Sequence, residues 1–181
     1  MWEPKESHSE RERQFLAHIK VDAPLEIVLR GHLWVESSLI GLIEEVLPHP
    51  EAIDLARFSF PQKLSLGVAL GLVRSQHAPA YLKLNALRNR VAHDLYSAIT
   101  EREQEEMIQA LGPELRFMSG VDAEEHAGEP FPEPLRAAIA TLFVELNGVR
   151  DSVIKSREEM AALHKRVQEL RAQSERRQGK P

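Results

Sequence analysis

Apolar residues recur three and four residues apart along most of this chain, which is the period of an α-helix rather than of a β-strand. The sequence therefore predicts an all-α protein, with a helical bundle at residues 9–118 and a long C-terminal helix at residues 133–173. Polar segments at residues 1–8 and 174–181 are predicted to be flexible ends. The helices predicted within the bundle lie at about residues 9–20, 23–47, 60–73, 79–96 and 101–111.

Capping and turn-forming residues separate these predicted helices. Asp22 and Ser59 are candidate N-caps of the second and third helices. Thr100 and Glu103 have the spacing of a capping box, which predicts that a helix starts there. Residues 119–132 are rich in Glu, Gly and Pro, so we predict an acidic surface loop between the bundle and the last helix.

The last helix carries the most regular pattern in the chain, a heptad repeat sustained for about five heptads. Its repeat positions are filled by Leu135, Ile139, Leu142, Leu146, Val149, Val153, Ser156, Met160, Leu163, Val167 and Leu170. The half beyond Ser156 has no other part of the chain left to cover it, so it predicts a homodimer or a complex with another protein. The residues predicted to form this dimer seam are Leu146, Val149, Val153, Met160, Leu163, Val167 and Leu170.

The orientation of the two helices in such a pair is open. β-Branched residues alternate with leucines along the repeat, a distribution that favours two parallel helices. A parallel pair would place Glu159 opposite His164, which is favourable, but it would place Arg166 opposite Arg171, which is not. The alternative to pairing is an amphipathic helix that is buried within its own bundle.

Composition limits the functions open to this chain. Hydrophobic residues make up 43% and charged residues 28% of the 181 positions, as in an ordinary globular protein. There is no cysteine, no apolar leader and no apolar run long enough for a membrane span, so we expect a cytoplasmic protein without disulfides. The net charge of −5 is the wrong sign for general nucleic-acid binding, so an RNA ligand would need a local basic patch. The histidines do not fall at metal-ligand spacing, and no cofactor or metal is predicted.

Polar residues on the fourth predicted helix are the candidate chemistry of the chain. Asn85, Asn89 and His93 follow one another four residues apart, and Arg88 lies beside them. A guanidinium, amides and an imidazole on the flank of a core helix cost desolvation free energy unless they are paired. These groups therefore either satisfy one another structurally or form a functional site. The apolar stripe of the same helix is Leu84, Leu87, Val91 and Leu95.

Two further polar residues interrupt the apolar stripe of the second predicted helix. His32 and Glu36 are one turn apart and point where the neighbouring apolar residues point. A buried guanidinium prefers a carboxylate, so Glu36 is predicted to pair with Arg88, in the same chain or across a dimer. His32 and Asn85 would complete a supporting polar cluster. The alternative is that His32 and Glu36 lie half exposed at the helix flank.

The stretch from Arg88 to His93 resembles the signature of the HEPN superfamily, an arginine followed after four to six residues by a histidine, in its common Arg-Asn form. The preceding segment, Lys63 to Leu72, is similar to a pattern that comes before the same element in proteins of the mannitol-repressor type. The resemblance covers about residues 25–100. Members of the superfamily are helical bundles and often dimers, so the resemblance implies a HEPN-like bundle here.

The resemblance also implies a reaction. Many HEPN proteins are metal-independent endoribonucleases, including toxins of toxin–antitoxin pairs and effectors of phage defence. His93 would then act as general base or acid, Arg88 would hold the phosphate, and Asn89 would orient the imidazole or the phosphate. Residues five apart on a helix point about 140° away from each other, so the implied cleft joins Arg88 of one copy to His93 of another. An antitoxin or another protein would bind through the C-terminal helix.

Other members of the superfamily have lost activity and serve as dimeric regulatory or protein-binding modules. The acidic charge balance of this chain and the lack of an obvious basic groove favour that alternative. The C-terminal helix would then recruit a protein partner. Cleavage of RNA by the purified protein would distinguish the two hypotheses.

Overall fold

The computed structural model describes the backbone of residues 8–93, 98–122 and 130–178, and side chains throughout these ranges except at residues 8–9 and 171–178. Within the described residues the protein consists of α-helices and 3₁₀ turns and has no strand, which confirms the all-α class predicted from the sequence. The helices are α1 (His8–Ile19), α2 (Pro24–Val46), α3 (Phe60–Ala69), α4 (Ala78–His93), α5 (Glu101–Ala110), α6 (Gly112–Ser119) and α7 (Glu133–Gln178).

The packing of α2 against the first half of α7 forms the centre of the bundle. Gly31 lies at their closest approach, since a Cβ atom there would be 2.4 Å from Cγ2 of Ile139. Helix α1 covers this pair, and the ring of Phe15 stacks on that of Phe143 with centroids 3.9 Å apart. The fully buried side chains of this core include Phe15, Ile27, Leu39, Tyr81, Leu84, Met107, Leu115, Leu142 and Phe143.

The first half of α7 belongs to this core. Leu135, Leu142 and Leu146 are buried within the chain's own bundle. The prediction that Leu146 forms part of a dimer seam is therefore wrong, because its side chain is 1% exposed and its contacts are already made. Val149 and Val153 are partly buried against the same core, so only part of each side chain is open to another molecule.

The second half of α7 leaves the bundle. The helix has 46 residues, which gives it a length of ~69 Å at 1.5 Å per residue. All side chains of residues 155–170 are exposed, although Arg157 still contacts Glu45 of α2. The apolar ones among them are Met160, Leu163, Val167 and Leu170, which are 55%, 57%, 38% and 58% exposed. This half of the heptad stripe remains a candidate seam.

Capping boxes begin two of the helices, α3 and α5. At α3, Oε1 of Gln62 accepts a hydrogen bond from the backbone N–H of Ser59 at 2.8 Å, and Thr100 forms the predicted capping box at α5. The prediction of Asp22 as an N-cap is wrong, because the residue preceding α2 is Ala23 and no side chain caps that helix. Gly112 has a φ of +70°, which turns the chain into a further short helix, α6, where the sequence predicts a stop.

Helix α3 ends before the point that the sequence predicts. Its last residue is Ala69, and Gly71 has a φ of +73°, a left-handed conformation that favours glycine. The turn sends Leu72 and Val73 back into the core as part of a connection rather than of the helix. Gly67, the other glycine of this segment, is buried where α3 packs on α2.

Some predicted features lie outside the described residues. They include the extension of α4 through Leu95 to Tyr96, residues 123–129 of the predicted acidic loop, and residues 1–7 and 179–181 of the two predicted flexible ends. Helix α7 itself continues to Gln178, past the predicted end at residue 173. Among the described helices, none combines the length and the apolar character that crossing a membrane requires.

Candidate functional site

Helix α4 carries the candidate motif and is fixed at both ends. At its start, the Tyr81 hydroxyl lies 3.1 Å from the carbonyl oxygen of Leu142 in α7. At its end, Nε of Arg90 lies 2.6 Å from a carboxylate oxygen of Glu103 in α5, and Arg90 also donates to the carbonyl of Ala98. These contacts orient the last turns of α4, which carry the Arg-Asn-x-x-x-His motif.

The motif residues lie on two sides of α4. Leu82, Ala86, Asn89 and His93 are spaced four, three and four residues apart, so they share one outward face. Leu82 is 42% exposed, and Ala86 and His93 are also exposed. Arg88 lies about 140° around the helix from His93, so a single chain does not aim both side chains at one point.

The predicted supporting cluster is assembled between α2 and α4. His32 is 2% exposed, and its Nε2 lies 3.2 Å from Oδ1 of Asn85. Because an amide oxygen only accepts, this contact assigns the proton to Nε2 of His32. The other ring nitrogen, Nδ1, is 3.7 Å from a carboxylate oxygen of Glu36. The structure thus brings together His32, Glu36 and Asn85.

Burial sets the charge state of His32. Desolvation lowers its pKa below the ordinary value of 6.5, the carboxylate of Glu36 and the hydrogen bond to Asn85 oppose this shift, and the cations Arg88 and Lys63 add to it. The imidazole is therefore neutral at neutral pH. It serves as a hydrogen-bonding link between α2 and α4 rather than as a second cation beside Arg88.

Lys63, rather than Arg88, is the partner of Glu36. Nζ of Lys63 lies 2.6 Å from Oε1 of Glu36, and the lysine side chain is 5% exposed. The predicted pairing of Glu36 with Arg88 is therefore wrong within the chain, because a buried ammonium already occupies the carboxylate. A contact across a dimer stays a prediction. The signal for Lys63 was its place among the apolar positions of α3, three residues after Phe60 and one before Leu64.

Arg88 is held by an amide and not by a carboxylate. Its Nη1 donates to Oδ1 of Asn89 at 3.0 Å, and this is its one hydrogen bond within the described residues. The side chain is half-buried, whereas His93 is exposed and forms no hydrogen bond or ion pair with the described part of the chain. The guanidinium therefore keeps several N–H groups open to an anionic ligand, and the His93 imidazole, on another side of α4, is accessible as well.

A second polar cluster escaped the sequence-based predictions. His77 is 3% exposed, its Nδ1 contacts the carboxylate of Glu145, and its Nε2 is 3.4 Å from that of Glu114. The Tyr81 hydroxyl lies 2.8 Å from the other oxygen of Glu145, and burial together with this carboxylate raises the pKa of Tyr81 well above its ordinary value. The histidine and Glu145 are 68 residues apart in the chain, so no local pattern could reveal their contact.

This cluster adjoins a groove of about 800 Å³. The groove runs along the middle of α7 and is closed on its other side by α6 and by the turn between α3 and α4. Its apolar lining consists of Leu72, Met118, Val144, Val149, Val153 and Met160. The groove is separate from the motif, because it adjoins the start of α4 whereas the motif occupies its end.

Comparison of this chain with protein-family models, curated proteins and solved structures finds no match. Function must therefore be argued from the site itself and from the motif that it carries.

Proposed function

We propose that this protein is a metal-independent endoribonuclease of the HEPN type that acts as a homodimer, with Arg88, Asn89 and His93 as its catalytic residues. The observation that carries the proposal is the state of Arg88. Lys63 engages Glu36, the carboxylate predicted to pair with Arg88, so the half-buried guanidinium is oriented by Asn89 and remains open to an anion. A phosphate, like a carboxylate, matches the paired N–H donors of a guanidinium.

The reaction that fits these groups is an internal transfer at phosphorus. The 2′-hydroxyl of RNA loses its proton to a base and attacks the adjacent phosphorus. The bond to the 5′-oxygen of the next nucleotide breaks, and that oxygen takes up a proton. The products are a 2′,3′-cyclic phosphate and a free 5′-hydroxyl. His93 serves as the base or the acid, since an imidazole changes charge near neutral pH, and Arg88 stabilises the charge on the phosphate oxygens.

Two copies are needed because one copy does not aim both groups at the same phosphate. The outward face of α4 supplies a surface for the second copy, since Leu82 and Ala86 are exposed apolar residues on the same stripe as Asn89 and His93. Arg88 lies at the edge of this stripe, so pairing on the side of α4 between Asn89 and Arg88 would set Arg88 of each chain near the partner's His93. Catalysis and pairing would then depend on one surface.

Cleavage of RNA in the presence of EDTA tests the proposal. The wild-type protein is expected to cut RNA and to leave 2′,3′-cyclic phosphate ends. His93→Ala is expected to reduce the rate by about 10²–10⁴-fold, the usual contribution of a proton-transfer group. His49→Ala is the matched control, because His49 is exposed after the end of α2 and away from α4. Equal rates for the two variants, or cleavage that requires a metal, would refute the proposal.

The second candidate is a regulatory or protein-binding module without catalysis. The observation that favours it is the uncovered apolar stripe of α7, together with the groove that adjoins it. A folded wild-type protein that cleaves no RNA, tested on both single-stranded and structured substrates, would favour this module over the ribonuclease.

A further inference from the structure

The uncovered stripe of α7 and the floor of the groove are one continuous surface. Towards the end of the helix the stripe consists of Met160, Leu163 and Val167, which are exposed. Towards the bundle the same heptad positions continue as Val149 and Val153, which line the groove. A helix that covered the exposed stripe would therefore enter the groove without changing direction.

The groove also has the shape that a helix requires. Gly148, Ser152 and Ser156 follow one another four residues apart along its floor, so they present a ridge of small side chains. A Cβ atom at Gly148 would meet nothing within 4 Å, so the space above it is open. On the opposite wall, Met118 is 49% exposed and faces the same space. The mouth of the groove therefore has room for a large apolar side chain of a second helix.

We propose that this surface binds α7 of a second copy in the antiparallel orientation. In the register that best matches the heptad positions of the two helices, the two-fold axis of the dimer passes between residues 160 and 163. Met160 then faces the partner's Leu163. Ser156 then faces the partner's Val167. Val153, at the mouth of the groove, faces the partner's Leu170, and the same contacts are made in reverse on the partner. This proposal does not rest on the ribonuclease activity.

The charges of Glu159 and Arg166 favour the antiparallel orientation. The antiparallel orientation places Glu159 beside the partner's Arg166, and the two-fold symmetry of the dimer repeats this contact. A parallel pair would instead bring Arg166 close to the partner's Arg171. The alternation of β-branched residues with leucines, which favours parallel helices, is weakened by the fold. Ile139 is fully buried in the bundle and cannot contribute to the seam.

This pairing does not assemble the proposed catalytic site. The end of α4 contacts α5 through Arg90 and Glu103, and Gln104 of α5 accepts a hydrogen bond from the backbone N–H of Leu135. The motif therefore lies at the Leu135 end of α7, roughly 39 Å along the helix from the proposed two-fold axis. The motifs of the two copies would be on the order of 80 Å apart. Pairing through the motif face is a separate interface, and a protein that used both would form an assembly larger than a dimer.

Disulfide crosslinking tests the orientation directly, because the chain has no cysteine of its own. Ser156→Cys and Val167→Cys change exposed positions outside the core. Under oxidising conditions, an equimolar mixture of the two variants, one carrying a mass tag, is expected to give mixed crosslinked dimers. Each variant alone is expected to give none, because equivalent positions would be ~16 Å apart, whereas a disulfide needs Cα atoms about 4–7 Å apart. Lys165→Cys, on the outer side of α7, is the control that should not crosslink in either case.

Charge reversal provides a second test on unmodified surfaces. Arg166→Glu is expected to raise the Kd of the α7 pair about tenfold in the antiparallel orientation, since two attractions become repulsions, and Glu159→Arg in the same chain is expected to restore it. A parallel pair would respond in the opposite direction, because Arg166→Glu would remove its repulsion. Crosslinking of either cysteine variant with itself, absence of mixed crosslinks, or tighter association of Arg166→Glu would overturn the proposal.

Discussion

Glu36 can neutralise only one buried cation, and in this bundle that cation is Lys63. The consequence reaches Arg88, which is left with an amide as its partner. Side chains from three helices determine this choice: Glu36 from α2, Lys63 from α3 and Arg88 from α4. The selection of Lys63 over Arg88 is therefore what keeps the candidate phosphate-binding group open.

Removal of the Glu36 carboxylate should show which cation depends on it. Glu36→Ala is expected to lower the free energy of unfolding by about 3 kcal/mol, the low end for breaking a buried pair, because the Glu36 side chain is 23% exposed. Arg88→Ala is expected to cost about 1 kcal/mol, the value of an ordinary hydrogen bond. Denaturant unfolding measures both changes.

Glu44→Ala is the matched control for this comparison, since Glu44 is an exposed glutamate on the same helix. This substitution is expected to change the free energy of unfolding by less than about 0.5 kcal/mol, as most surface substitutions do. A loss for Arg88→Ala as large as that for Glu36→Ala would contradict the assignment of Lys63 as the carboxylate's partner.

The lowered pKa of His32 predicts a pH dependence of stability. As the pH falls, His32 takes up a proton in the unfolded chain before it does so in the folded protein. This protonation stabilises the unfolded chain relative to the folded state, so the free energy of unfolding decreases. The contribution of neutral His32 to the free energy of unfolding is complete above the ordinary pKa of 6.5. It declines as the pH falls toward the lower pKa of the folded state. The difference in unfolding free energy between wild type and His32→Gln should therefore shrink between about pH 7.5 and pH 5.5. A difference that grows over this range would mean that Glu36 holds His32 protonated.

The sequence predicted part of this site, and the reason for the remainder is physical. The helical period placed His32 and Glu36 on one face, and the structure confirms their contact with each other and that of His32 with Asn85. Periodicity within one helix cannot rank partners from other helices. Lys63 was therefore missed, although its position among apolar residues indicated a buried ammonium that needs a carboxylate.

The contact between α2 and α7 depends on a residue without a side chain. A Cβ atom at Gly31 would approach Cγ2 of Ile139 to 2.4 Å, so Gly31→Ala forces the two helices apart. The expected loss is about 1–2 kcal/mol, since overpacking costs about 1–3 kcal/mol and the gain in helix propensity returns up to about 1 kcal/mol. Thermal or denaturant unfolding measures this loss.

Gly41→Ala on the same helix distinguishes the effect of packing on stability from the effect of helix propensity. A Cβ atom at Gly41 would meet the Arg150 guanidinium at 3.7 Å, which is an ordinary contact. The free energy of unfolding of this variant is expected to rise by up to about 1 kcal/mol. If Gly31→Ala were also stabilised, the close approach of α2 and α7 at Ile139 would not exist in solution.

Local rules predicted most of the helices and failed where the backbone turns. The period of apolar residues located α1, α2, α5 and α7 to within a few residues, because burial of one face is what forms those helices. The early end of α3 and the start of α6 follow from positive φ angles at Gly71 and Gly112. A glycine permits such an angle without requiring it, so the sequence alone could not fix either boundary.

The heptad repeat of α7 serves two different purposes along its length. Up to about Val153 it packs within the chain's own bundle, and beyond that point its apolar residues are exposed. Burial within the chain's own bundle is therefore confirmed for the first half of the helix, and pairing with another molecule stays a prediction for the second half. The heptad period could not show where α7 leaves the bundle, because that point depends on where the other helices end.

The groove beside α7 was also beyond prediction from sequence. Its walls come from α6, from the turn after α3 and from α7, and they meet only in the folded chain. It is nevertheless the continuation of a stripe that the sequence did show. A solvent-exposed helix of this length with an apolar stripe predicts a partner, whichever function the motif has.

Pairing of two copies through the motif face makes a specific demand on the catalytic residues. If each site takes Arg88 from one chain and His93 from the other, then Arg88→Ala and His93→Ala chains are both inactive alone. A mixed dimer of the two contains one intact site. After full exchange of subunits, about a quarter of the wild-type number of sites should be active, because half of the dimers are mixed and each has one working site of two.

The cleavage rate of that mixture, measured in EDTA beside each variant alone, is the most direct test of the proposed site. The predicted result is RNA cleavage by the mixture at about a quarter of the wild-type rate, with almost none from either variant alone. A mixture as inactive as its two components, formed from folded chains that exchange subunits, would contradict a site shared between two copies.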